Sequence, residues 1–172
     1  MLGNESGLTP ASADAMKPTR STPFDIEALP GHHIRRLHQI AVAIFLQEIE
    51  PHGLTPVQYG AMQTVGNAPG IDQRTLAGTI GLDTSTIGGV IDRLEARGLL
   101  QRNASPDDRR VRLLTLTDAG RELLQRAIPD MLRAQQRMLE PLPKRERAEF
   151  MRMLRTLVTA NNELSRAPSD AG

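Results

Sequence analysis

The sequence contains no cysteine and no tryptophan. Without cysteine, disulfides are excluded. No apolar run approaches the ~18 residues that a transmembrane helix needs, so a membrane span is excluded as well. The N-terminus lacks the basic-then-apolar plan of a secretory signal, which leaves the cytoplasm as the expected compartment. Charge of one sign is also missing: 21 Lys and Arg stand against 20 Asp and Glu. A globally basic nucleic-acid coat protein is therefore excluded, and any DNA affinity must come from local clustering. There is no paired nucleophile and base, no metal-ligand spacing and no phosphate loop. The chain reads as a non-enzyme that needs no cofactor and no metal. Its 172 residues suffice for one ordinary domain or a small domain with dimerisation arms.

What is present is concentrated between Gln73 and Thr117. A short helix, Arg74 to Ile80, is broken at Gly81. Asp83 then offers a side-chain oxygen to cap a second helix, since Asp at such a start satisfies orphan N–H groups. That helix carries Ile87, Val90, Ile91 and Leu94 at the i, i+3, i+4, i+7 spacing of an amphipathic helix. Gly98 ends it by entering the left-handed region without steric cost. Helix, tight turn and capped helix make a helix-turn-helix. Two strand-like runs follow, Leu99 to Arg102 and Val111 to Leu116, around a polar loop, Asn103 to Arg110. A hairpin with a basic tip behind a recognition helix is a wing. Arg93, Arg97, Arg102, Arg109, Arg110 and Arg112 lie within twenty residues of one another, which is the local clustering sought.

These runs carry a resemblance. Asp92-Arg93-Leu94-Glu95-Ala96-Arg97-Gly98-Leu99, then Asp108-Arg109-Arg110, then Leu116-Thr117 with Gly120, resemble the MarR family of bacterial transcription regulators. The resemblance is close from Leu54 to Gly120 and general in the flanking helices. It implies a mainly α fold with a small β-hairpin wing, a winged helix-turn-helix flanked by dimerisation helices. Thr84, Ser85 and Thr86 on the first turn of the recognition helix have hydroxyls that can meet DNA; capping alone is the competing reading. Gly88 and Gly89 each cost roughly 1 kcal/mol relative to Ala inside a helix. Close approach to DNA or tight packing on a neighbouring helix must offset that. Family members often carry a larger residue near Gly89, so its absence shifts base contact toward Ser85, Thr86 and Arg93. The resemblance places Arg110 of the wing, with Arg109 beside it, in the minor groove, held by Asp108 through a charge-assisted bond. A purely structural Asp–Arg pair is the alternative.

In chain order, residues 1–24 are rich in Gly, Ser, Thr, Pro and Ala and read as a flexible tail. Residues 25–53 and 118–165 supply dimerisation helices, 54–117 the DNA-binding domain and 166–172 a second tail. The first helix should run from about His32 to Glu50, and Thr55 and Pro56 should open the next, ending near Gly66. The resemblance implies that Ile71-Asp72 forms a short strand paired with the wing. Thr117 caps a long helix that Pro129 should kink. A final helix from Lys144 to about Ser165 carries Ala148, Met151, Leu154, Leu157 and Val158 inward. One copy cannot bury the apolar surface of the outer helices, so a two-fold homodimer is expected, reading a near-palindromic double-stranded operator with half-sites ~34 Å apart.

The family resemblance also implies a switch: a small aromatic carboxylic acid releases the DNA. Lacking cysteine, this chain cannot use the thiol-oxidation switch of some relatives. His33, Arg36 and His38 give a basic, partly aromatic lining where Arg–carboxylate pairing and stacking suit an anionic ring, and the resemblance places Tyr59 facing the effector cleft. A solvated helix start is the plain alternative, and a zinc site using the histidines a further one. Pro30-Gly31-His32-His33-Ile34-Arg35-Arg36-Leu37 and Asp83-Thr84-Ser85-Thr86-Ile87-Gly88-Gly89 are similar to the nicotinate-degradation repressor branch. That branch implies a hydroxylated pyridine carboxylate as effector. Other functions held open are a constitutive architectural DNA binder and a metal-responsive regulator.

Overall fold

The structure is a computed structural model that describes residues 25–106 and 111–164. Both expected tails, the wing residues Asp108, Arg109 and Arg110, and the expected helix end at Ser165 lie outside the described residues. The elements follow in the order α1 (Pro30–Ile49), α2 (Pro56–Asn67), β1 (Ile71–Asp72), α3 (Gln73–Ile80), α4 (Thr84–Ala96), β2 (Leu100–Ala104), β3 (Arg112–Leu116), α5 (Asp118–Leu139) and α6 (Lys144–Ala160). Short 3-10 turns precede α1, join α1 to α2 at Glu50–His52, and follow α6.

The local signals act where they stand. Pro30 is the first residue of α1, two positions ahead of the expected start, because a proline loses nothing where no amide partner exists. Thr55 and Gln58 form a reciprocal capping box on α2. Asp72 caps α3 and Thr117 caps α5. Helix α5 runs on through Pro129. Both Pro129 and Gln125, whose carbonyl loses its amide partner, lie on the exposed side, where water can substitute. Helix α6 stops at Ala160, short of the expected end. There the Asn161 amide side chain donates to the Leu157 carbonyl at 2.8 Å and closes the last turn.

The sheet has the order β1-β3-β2, all antiparallel. Ile71 pairs with Leu114, so the two-residue strand does join the wing. One core runs beneath it. Ile87, Ile91 and Leu94 of α4 meet Leu76 of α3, Met62 and Val65 of α2, Leu100 and Leu114 of the sheet, and Ile49 of α1, all fully buried. Burying a side chain of this size contributes ~1.5–3 kcal/mol, so the helix-turn-helix and the inner ends of α1 and α5 are held as one packed unit.

The outer helices leave much apolar surface exposed in the single chain. Helix α6 has no buried residue; Leu157 and Val158, expected inward, are 54% and 66% exposed in the single chain. On α1, Ile34 and Ile40 are exposed too, as is Leu132 on α5. The amphipathic pattern is present, but among the described residues nothing buries it.

Candidate nucleic-acid interface

Geometry at the start of α4 follows from two residues. Gly81 sits at φ +73°, and Leu82 N–H reaches the Ala77 carbonyl at 2.9 Å, so α3 ends and the chain turns within three residues. Asp83 then accepts from the Thr86 N–H and from the Thr86 hydroxyl, both at 2.7 Å. Those bonds, the amide foremost, hold the Asp83 carboxyl below its ordinary range. The Thr86 hydroxyl is thus engaged in the cap, while Thr84 and Ser85 are exposed with theirs outward.

With Ile87, Val90, Ile91 and Leu94 inward, the opposite face presents Ser85, Gly89 and Arg93 at a helical spacing of four. The two glycines separate. A Cβ on Gly88 would lie 3.0 Å from Nε2 of Gln73, whose amide donates to the Thr84 carbonyl at 2.9 Å. A side chain at Gly88 would therefore crowd the Gln73 amide at the start of α3. A Cβ on Gly89 would meet only the tip of Arg93, at 3.9 Å. Nothing in the chain calls for glycine there. Gln73 was not singled out from the sequence; the Gly88 beside it was its only trace.

The arginines separate in the same way. Arg102 lies between Asp92 and Glu95, at 2.5 Å from each, and its backbone N–H also donates to Glu95. Arg97 donates to the Gly53 carbonyl at 2.8 Å. These two hold the fold. Among the described residues, Arg93 and Arg112 are exposed and form no ion pair. Behind α4 the hairpin pairs Leu100 with Leu116 through Ala104 with Arg112, and Ser105 N–H bonds the Val111 carbonyl. The two strands are thereby paired as far as Ser105 and Val111.

The four residues associated with an effector are not gathered in one chain. His33 and Arg36 line an open, apolar groove of about 520 Å³ between α1 and α6, with Ile34, Leu37, Phe150 and Leu154. His33 Nε2 also bonds the Glu27 carbonyl at 2.6 Å. His38 is exposed on α1. Tyr59 is buried, edge-on to Phe45, with its hydroxyl donating to Gln63 at 3.2 Å; burial pushes that hydroxyl's pKa up. Burial first, and the neighbouring Arg35, His33 and Arg36 next, lower the pKa of His32.

A capped recognition helix, a tight turn and a three-stranded wing define a winged helix-turn-helix. Comparison with known proteins agrees. The MarR family model matches residues 54–111. The HTH-type transcriptional repressor NicR of Pseudomonas putida is 31% identical over 153 residues, covering 89% of this chain and 94% of that protein. Among solved structures, the PcaV regulator of Streptomyces coelicolor with its natural ligand is 36% identical, with a TM-score of 0.76 over 81% of this chain and 99% of that one. Bordetella bronchiseptica BpsR, studied for regulation of its DNA binding by 6-hydroxynicotinic acid, is 32% identical, with a TM-score of 0.75 over 79% and 97%. The chain belongs to the MarR family, whose members are DNA-binding transcription regulators.

Proposed function

We propose that this protein is a dimeric transcriptional repressor that reads a near-palindromic operator and is released by a small aromatic or heteroaromatic acid. The observation that carries the proposal is the outer face of α4. Ser85, Gly89 and Arg93 stand free of the fold at helical spacing, with Thr84 beside them and Arg112 exposed on the adjoining strand. A face with an uncrowded glycine and a guanidinium that pairs with no acid among the described residues suits insertion into a major groove, where Arg meets guanine edges or phosphates. Residues 54–117 form the reading domain, and Asp108, Arg109 and Arg110 serve as its wing contacts, on the strength of their motif. Residues 25–53 and 118–165 form the arms, whose exposed apolar faces a second copy covers. Family members act as dimers.

For the effector, His33 and Arg36 on the rim of the apolar groove provide cationic and hydrogen-bonding groups beside a surface fit for a ring. The relatives NicR and BpsR make a nicotinate-type acid the first compound to try. The test is fluorescence anisotropy on a labelled fragment from upstream of the gene, with excess competitor DNA and titration of nicotinate, 6-hydroxynicotinate, salicylate and benzoate. Tight binding reversed by one acid supports the reading. Tight binding indifferent to all four removes the effector, and no specific binding removes the operator.

A further inference from the structure

The C-terminal end of α4 is tied to the helices outside the reading domain by a line of polar contacts. Arg97, the residue that closes α4, donates through Nη1 to the Gly53 carbonyl at 2.8 Å and lies 3.5 Å through Nη2 from the His52 carbonyl. Both acceptors belong to the joint that leads from α1 into α2. Gly53 holds φ +60° there, a left-handed conformation that turns the chain under the arginine. The His52 side chain then points the other way, with Nε2 2.6 Å from Oδ2 of Asp130 on α5; the two side chains are only 11% and 17% exposed. A carboxylate can only accept, so the ring donates through Nε2. Asp130 also pairs with Arg133, which bonds Glu48 of α1 at 3.2 Å, and Arg137 bonds the same Glu48 at 2.5 Å. The end of α4, the joint, α5 and α1 are thus joined in one continuous run of polar contacts.

Apolar packing already fixes α4 within its own domain, but packing is non-directional. A guanidinium fork on two successive carbonyls is directional, and lysine cannot reproduce it because its ammonium is a point donor. We propose that Arg97 is a positioning residue, locking the recognition helix to the α1–α5 joint and so setting the half-site spacing that the dimer accepts. The inference rests on the dimeric operator-binding reading above. One inserted base pair moves a half-site by about 3.4 Å and turns it by about 35°. A rigidly held pair of helices tolerates such a change poorly, and a loosely held pair tolerates it better.

The experiment uses the full-length protein and its best operator, together with versions whose centre is lengthened or shortened by one base pair, at one fixed salt concentration. Wild type is expected to lose affinity by roughly tenfold or more at each altered spacing, comparable to a mismatched base pair. Arg97→Ala is expected to shrink that penalty to about threefold or less, with Arg97→Lys in between. Asp130→Ala, which has no contact with α4, should broaden the preference in the same direction. A uniform loss of affinity across all spacings, or a spacing penalty equal to wild type in both alanine variants, would overturn the assignment. Specific wild-type binding without any spacing preference would also overturn it. Absence of specific binding by the wild type at every spacing would instead remove the operator reading on which the inference depends.

Discussion

Gly89→Ala is expected to move stability and DNA affinity in opposite directions. The residue sits inside α4, and its missing Cβ faces nothing in the chain closer than the Arg93 guanidinium at 3.9 Å. Alanine should therefore relieve the conformational cost of glycine and stabilise the fold by about 0.5–1 kcal/mol. The DNA side has the other sign. If the backbone at this turn lies against the groove floor, an added methyl is an overpacking change of roughly 1–3 kcal/mol. That corresponds to about a 5- to 150-fold weaker Kd. Urea denaturation reads the first quantity and anisotropy on the operator at fixed salt reads the second, because affinity at phosphates shifts with salt. Gly88→Ala is the internal comparison. Its Cβ would meet Gln73 Nε2 at 3.0 Å, so that side chain must shift and strain its bond to the Thr84 carbonyl, offsetting part of the helix gain. A stabilised Gly89→Ala protein that binds within twofold of wild type would refute the claim that this turn touches DNA.

The remaining predictions concern the wing, the α5 start and the caps. Arg110→Ala should weaken operator binding strongly while dimer and melting temperature persist; an unchanged Kd would remove the minor-groove assignment. At Gly120 a Cβ would lie 1.9 Å from the Leu99 carbonyl oxygen and 2.9 Å from its carbon, both backbone atoms. Gly120→Ala must push α5 off the turn after α4 and should cost about 3 kcal/mol or more. Tm should fall by roughly 6–12 °C, and an unaltered melt would refute the close approach. Asp83 is held below its ordinary pKa by the Thr86 amide and hydroxyl. Asp72 is lowered as well, its burial opposing and the Thr75 and Arg74 bonds prevailing. A depressed carboxylate contributes stability that is present above its unfolded pKa of ~3.9 and lost as pH falls through the folded value. Melting temperature should therefore drop below about pH 4, and Asp72→Asn with Asp83→Asn should flatten that drop while lowering Tm at neutral pH. Parallel pH profiles for the two proteins would contradict it.

Most of the reading domain was legible because its signals are local. Asp83 before a 3.6-period stripe, Gly98 after it, and Thr55-Pro56 ahead of the second helix each satisfy backbone groups within four residues. The short strand at Ile71-Asp72 was a family expectation and pairs with the wing accordingly. The outer helices were legible only in pattern. The apolar face of α6 is present as a periodicity, yet none of the described residues buries it, so burial could not follow from the pattern. Tyr59 shows the opposite limit. The resemblance sets it facing the effector cleft, while nothing local in the sequence announces the edge-on packing of its ring against Phe45.

The arginine cluster shows why counting charge along a sequence does not locate an interface. Arg93, Arg97, Arg102 and Arg112 fall within one short stretch and are chemically equivalent on paper. Folding brings Asp92 and Glu95, one helical turn apart on α4, around Arg102 on the neighbouring strand, and consumes its charge inside the domain. Arg97 is consumed by two carbonyls 44 and 45 residues earlier. Among the described residues, Arg93 on the outer face of α4 and Arg112 at the loop end of the hairpin are exposed and form no ion pair. A near-neutral chain can therefore still present a positive face. Asp92 and Glu95 neutralise Arg102 and backbone carbonyls engage Arg97, and potential at the surface depends on that sorting and not on the total.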